Sequence, residues 1–230
     1  MTKIIWTDEM LTGKSREHLV SLPCPFSDNH FLVPEAQKAF LSLQQAAAKD
    51  GFNLQPASSF RDFSRQQLIW NNKFLGKRKV HDDEGNTLDL NTLTDWQKCE
   101  AILRFSALPG ASRHHWGTEI DIFDPNLLPN NQSLQLEPWE YQKDGYFFEL
   151  SQWLKYNAQK FDFGFPFLNL EAQYKIGQEP WHLSFLPQAQ KAYQTFTKDT
   201  LLKAWKTEDI AGKTTLVSLL DNILKHYWVK

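Results

Sequence analysis

Apolar positions three and four residues apart organise the first half of the chain. Between residues 34 and 50, Phe40, Leu43 and Ala47 recur at helical spacing. Pro34 suits the first helical turn, where a missing N–H is no loss, and Gly51 supplies a left-handed stop. Residues 52–59 read as an extended segment. Asp62 or Ser64 then caps a second helix that carries Leu68, Ile69 and Leu75 and ends at Gly76, which places Arg61 at a strand-to-helix junction. Thr94, with Gln97 three residues on, forms a capping box for a helix bearing Ala101, Leu103 and Phe105, stopped around Pro109 and Gly110.

The period then changes. Thr118 to Phe123 alternates as a strand does, Asp124 and Pro125 close it, and Asn130 to Ser133 form a polar loop. Leu150, Trp153, Leu154, Asn157 and Phe161 restore helical spacing over about 145–160, and the aromatic run from Phe161 to Phe167 ends it. A short strand with Trp181 and His182 follows. From Pro187 the chain is helical again, with a stripe of Leu216, Leu220 and Ile223 that suits either the core or a partner. These elements predict a single α+β domain: an N-terminal segment over 1–33, a core over 34–186, and a helical C-terminal extension over 187–230 packed on it.

Composition narrows the function classes. A chain of 230 residues closes around a core without disulfides, and a net charge of −2 gives no whole-chain attraction to a phosphate backbone, so no nucleic-acid partner is expected. The first ten residues reach Asp8 and Glu9 too soon for a secretory h-region, and nowhere do about 18 apolar residues run together. A soluble, cytoplasmic protein without a membrane partner is the expectation. Cys24 and Cys99 lack any Cys-x-x-Cys spacing and read as two buried reduced thiols. The basic and acidic runs between Lys77 and Asn86 read as a solvated loop.

Histidine and carboxylate concentrate in two segments, Ser112 to Asp121 and Glu179 to His182, whereas His18, His30, His81 and His226 have no partners at a site spacing. A catalytic zinc site needs three protein ligands and an open fourth position. His114, Asp121 and His182 meet that count, although spacing alone does not separate His114 from His115. Glu179 is the carboxylate available to take a proton from the attacking water, and Arg61 could steady an oxyanion. Strand alternation puts Glu179 and His182 on opposite faces, so the pair requires a bulge or turn, for which Pro180 is suited.

These residues resemble the zinc D-alanyl-D-alanine carboxypeptidases and dipeptidases of the VanY and VanX type. The hallmark S-x-H-x-x-G-x-A-x-D is matched by Ser112, His114, Gly117 and Asp121, with Glu119 in place of the usual alanine; E-x-W-H is intact as Glu179, Trp181 and His182. A strand-end S-x-x-R followed by a glutamine is similar to Ser58, Arg61 and Gln66. The resemblance spans roughly residues 34–185. It implies a small, mostly antiparallel sheet flanked by helices and carrying one Zn²⁺ per chain. It also implies that His114, Asp121 and His182 are ligands, Glu179 is the general base, Arg61 supports the carbonyl and tetrahedral intermediate, and Ser112 and Gln66 help hold the substrate. Glu119 shares a face with Asp121 and either crowds the metal, binds a substrate amine or turns away. Trp116 and Trp181 are expected to brace the ligand segments, and Gly117 to mark a tight turn.

The implied activity is release of D-Ala from a peptidoglycan-type peptide. L,D-carboxypeptidase or D-Ala-D-Ala dipeptidase action on the same site are the alternatives, followed by hydrolysis of another amide and by a non-catalytic, zinc-stabilised binding module. Glu179 and Arg61 speak against the last, since a structural zinc needs neither and usually takes four protein ligands.

Overall fold

The structure, a computed structural model, describes residues 4–83 and 85–229. It opens with a short helix α1 (Asp8–Leu11), whose first turn is capped by the Thr7 hydroxyl, and a ribbon of β1 (Val20–Ser21) antiparallel to β2 (Phe31–Leu32). Elements this short leave no periodic trace. Helix α2 (Pro34–Lys49) matches its expected span and buries Ala36, Phe40, Leu43 and Ala47, the stripe read from the sequence.

Strand β3 (Gln55–Ser58) leads through Arg61 into α3 (Phe63–Phe74), capped by Asp62, whose carboxylate accepts from the Arg65 N–H at 2.8 Å. The buried face of α3 is not the expected one. Phe63, Gln66 and Trp70 point inward, while Leu68 and Leu75 are 50% and 59% exposed. A hydrogen-bonded glutamine occupies a core position, which a search for apolar periodicity passes over. Helix α4 (Asp95–Leu103) has both halves of its Thr94–Gln97 capping box.

Strand β4 (Glu119–Phe123), helices α5 (Pro138–Tyr141) and α6 (Phe148–Asn157), and strands β5 (Phe163–Gly164) and β6 (His182–Phe185) complete a four-stranded sheet ordered β3-β4-β6-β5, antiparallel at every pairing. Its two central strands separate chemistry by face. Side chains alternate along a strand, so Ile120, Ile122, Leu183 and Phe185 share the apolar face, all buried, while Glu119, Asp121, His182 and Ser184 share the other. Asp121 pairs with His182 and Glu119 with Ser184, which sets acid beside base on one surface. A register shift between Pro56 and Ser58 brings Ser58 opposite Asp121 and so starts the Arg61 loop beside the same surface.

Four helices follow: α7 (Leu186–Thr195), α8 (Lys198–Trp205), α9 (Lys213–Ser218) and α10 (Leu220–Tyr227). Leu216, Leu220 and Ile223 are buried, so the stripe faces the core. The Trp205 indole donates to the Pro109 carbonyl at 2.6 Å, and Trp228 stacks on Phe196 and meets Trp116 edge-on, which fastens these helices over the segment that carries His114. Cys99 is buried as expected, but Cys24 is only half-buried, because it lies in the surface connection between β1 and β2. No helix among the described residues is long and apolar enough to cross a membrane.

The inverted face of α3 is open to a direct comparison in denaturant. Trp70→Ala should cost about 3–5 kcal/mol of unfolding free energy, whereas Leu68→Ala should change it by less than about 0.5 kcal/mol. Equal losses at the two positions would contradict the orientation described.

Candidate metal centre

The site begins with a tight loop. Ser112 precedes a single turn of 3-10 helix over Arg113–Trp116, and Gly117 ends it with φ of +67°. A Cβ there would fall 2.2 Å from Leu19 Cδ2, so this left-handed, crowded position requires glycine. The turn separates the two adjacent histidines. His115 is fully buried, with Nδ1 at 2.5 Å from the Arg61 carbonyl and Nε2 accepting from the Gly110 N–H at 3.0 Å, so both ring nitrogens are already committed. His114 faces β4 instead.

Each remaining ligand candidate is turned by a partner behind it. His114 Nδ1 lies 2.7 Å from the Ser59 carbonyl, which can only accept, so Nδ1 carries the proton and Nε2 is left bare 3.4 Å from Asp121 Oδ2. His182 Nε2 donates to Glu119 Oε2 at 2.7 Å, which turns Nδ1 toward Asp121 Oδ1, 3.0 Å away. Neither Asp121 Oδ1 nor His182 Nδ1 has a well-aligned hydrogen-bond partner although both atoms are buried. The donor atoms of His114, Asp121 and His182 lie within 4.8 Å of one another. A tetrahedral ion at about 2.0–2.2 Å spaces its ligands about 3.3–3.6 Å apart, close to the separations found. Two imidazoles and a carboxylate, converging with bare lone pairs, fit a zinc-type ion.

The electrostatics favour positive charge at the same point. Burial opposes ionisation of Asp121, yet the two imidazoles outweigh it and hold the carboxyl well below the usual range. Burial likewise disfavours a charged His182, but Asp121 and Glu119 raise it to about 9. Glu119 itself is brought down to about 2 despite burial, chiefly by Arg113 and His182. The Arg113 guanidinium reaches Glu119 at 3.3 Å, Ser184 Oγ at 2.9 Å and the Val229 carbonyl at 3.2 Å. Glu119, unassigned by the sequence, thus neither crowds the metal position nor turns away: it orients His182 and is itself held by Arg113, Thr118 and Ser184.

Around this cluster opens a cavity of about 530 Å³ lined by Arg61, Ser112, Glu179 and Trp181 among others. The turn required of Glu179 is present: the His182 N–H donates to the Glu179 carbonyl at 3.1 Å across Pro180 and Trp181, and Glu179 Oε2 comes to 3.5 Å from His182 Nδ1. Burial raises the Glu179 carboxyl to about 7, with His182 opposing the shift. Arg61 donates to Gln66 Oε1 at 2.9 Å and to Ser58 Oγ at 3.2 Å. Gln66 is fully buried and spends its amide on the Ala107 carbonyl, so it stands behind Arg61 and away from the cavity surface. Ser112 is on the cavity wall, and Trp116 is wholly in the core.

The family model for VanY, D-alanyl-D-alanine carboxypeptidase, matches residues 29–188. An uncharacterised protein of Haemophilus influenzae (strain ATCC 51907 / DSM 11121 / KW20 / Rd) is 74% identical over 102 residues, 44% of this chain and 70% of that protein. Among solved structures, VanYB in complex with D-alanine-D-alanine superposes with a TM-score of 0.53 at 21% identity, covering 85% of this chain and 92% of that one. A vancomycin-resistance D,D-pentapeptidase VanY variant in complex with Zn(II) gives 0.51 at 23%, covering 77% and 84%. The LdcB LD-carboxypeptidase gives 0.52 at 22%, covering 84% and 80%. At these identities the structural likeness is one of fold.

Removing a partner that orients a metal ligand commonly costs about 10–100-fold in metal affinity. Glu119→Gln should therefore weaken zinc binding by about that factor in a chelator competition, with the fold intact by circular dichroism. Affinity equal to wild type would show that His182 is oriented without the carboxylate. His182→Ala should go further and leave the purified protein with little zinc by elemental analysis; full metal content would remove His182 from the ligand set.

Proposed function

We propose, for a chain that belongs to the VanY family of D-alanyl-D-alanine carboxypeptidases, that His114, Asp121 and His182 hold a zinc ion and that Glu179 and Arg61 carry out peptide hydrolysis beside it. The observation that carries this reading is the convergence of three donors with bare lone pairs on the cavity that also holds a carboxylate and a guanidinium. Zinc in such a site supplies a Lewis acid that polarises a scissile carbonyl and acidifies a water to a pKa of about 7.

Glu179 accepts the proton of the attacking water and passes it to the leaving amine. Its raised pKa, near 7, suits a group that must both take and return a proton near neutral pH. Burial lowers the Arg61 pKa, and the fields of Asp121 and Glu179 oppose that shift. Two of its five N–H bonds go to Gln66 and Ser58. The remaining donors are available to the developing oxyanion, already oriented before substrate arrives. Gln66 contributes through Arg61, and the Ser112 hydroxyl helps seat the peptide. Trp181 braces the turn that carries His182, packing on Tyr141 at 5.6 Å between ring centroids.

The substrate is a peptidoglycan-type peptide ending in D-Ala. Release from a D-Ala-D-Ala terminus is preferred on the family match, and an L,D-linked terminus or the free dipeptide is the second reading. Assays of D-Ala release from pentapeptide, tetrapeptide and dipeptide rank the three. Replacing the base removes about 10²–10⁴-fold in rate, so Glu179→Gln should retain zinc and lose turnover by at least that lower figure. Near wild-type turnover in a zinc-replete Glu179→Gln protein would sink the assignment.

A further inference from the structure

Lys73, near the end of α3, lies on the wall of the same cavity as Arg61 and Glu179. Its side chain is half-buried, and its ammonium donates to the Ser106 hydroxyl at 2.6 Å. Among the described residues it forms no ion pair with a carboxylate, and Ser106 is its one hydrogen-bond partner. Two cations and two carboxylates around the cavity act on it. Burial is the larger cause and Arg78 the next in bringing its pKa down to about 8, with Arg61 adding to the effect; Glu179 and Glu137 pull the other way without pairing. Arg78 and Lys79 line the cavity too, exposed at its surface and without an ion pair among the described residues.

A half-buried ammonium whose hydrogen-bond partner is a neutral hydroxyl works against folding, since desolvation opposes its charge. The buried face of α3 is made by Phe63, Gln66 and Trp70, and an uncharged side chain at position 73 would cover the cavity wall without the desolvation cost. The charge is balanced if the molecule that enters the cavity brings an anion. Any substrate of a carboxypeptidase carries at least one carboxylate.

We propose that Lys73, with the Ser106 hydroxyl beside it and Arg78 on the same cavity wall, binds a carboxylate of the peptide substrate and sets which peptides are cleaved. The inference rests on the peptidase reading and extends it from the reacting centre to a specificity position on α3. The bond formed is a charge-assisted N–H···O hydrogen bond, stronger than one between neutral groups. Two sources share this chemistry, the C-terminal carboxylate and a side-chain carboxylate one or more residues upstream.

The test compares kcat/KM for two matched peptide pairs. One pair differs as C-terminal acid and amide, the other as Glu and Gln at an upstream position, and each is run with zinc-loaded wild type, Lys73→Met and Lys73→Arg. Wild type should favour the carboxylate member of at least one pair by about 10–100-fold, the range for a hydrogen bond to a charged group. Lys73→Met should abolish that preference and Lys73→Arg should keep most of it, with zinc content and circular dichroism alike in all three. Loss confined to the acid–amide pair assigns the terminal carboxylate, and loss confined to the Glu–Gln pair assigns the side chain. A preference in Lys73→Met equal to wild type in both pairs overturns the proposal. Failure of the peptidase reading looks different, as no release from any peptide by the zinc-loaded wild type. In that event binding of the same pairs, followed by fluorescence of the cavity-lining Trp181 and Trp228, decides the question: affinities unchanged by Lys73→Met overturn the proposal, and a carboxylate-specific loss sustains it.

Discussion

Asp121 has to remain ionised while buried in the middle of a sheet, and the surrounding structure is arranged around that requirement. An isolated interior carboxylate would take up a proton, since desolvation penalises its charge heavily. Here the antiparallel register sets His182 directly opposite and the 3-10 turn brings in His114, so two imidazoles face one carboxylate. Ser59 and Glu119 each occupy one nitrogen of a ring and turn the other nitrogen inward, toward Asp121. Lone pairs facing a carboxylate repel unless a proton or a metal ion lies among them, which makes the cluster a cation site by construction.

The same requirement propagates outward. Glu119 orients His182 but adds a second buried negative charge, and Arg113 answers it from a position wedged between the sheet and residue Val229. A buried acid–base pair with one member removed is strongly destabilising, by about 3–5 kcal/mol. The helical extension is therefore tied to the metal position through Arg113, and the packing of Trp228 on Trp116 reinforces that tie. His115 accepts from Gly110 and contacts the Arg61 carbonyl, so the residue next to His114 fixes the backbone that carries the guanidinium.

Local signals were legible where a single segment determines the outcome. The capping box of Thr94 and Gln97, the apolar stripe of α2 and the turn at Pro180 each depend on residues within a few positions of one another. The cluster of His114, Asp121 and His182 was legible as a candidate for another reason: two separated motifs carry residue types with few alternative uses when they occur together. What stayed hidden depends on three-dimensional commitments. Spacing cannot show that both nitrogens of His115 are occupied, and strand alternation gave the face of Glu119 but not its partner, because the pairing with Ser184 is fixed by register between segments more than sixty residues apart. The face of α3 was misread because Gln66 is buried by virtue of its hydrogen bonds to Arg61 and Ala107, a property that no hydropathy pattern records. The ribbon of β1 and β2 is too short to have a period at all.

Anomalous diffraction at the zinc edge from crystals of the zinc-loaded protein tests the central claim most directly. The account predicts one strong peak among His114 Nε2, the Asp121 carboxylate and His182 Nδ1, at about 2.0–2.2 Å from each donor atom, with His182 Nε2 still bonded to Glu119. A peak at His115, at a cysteine or on the protein surface, with none inside the cluster, would contradict it.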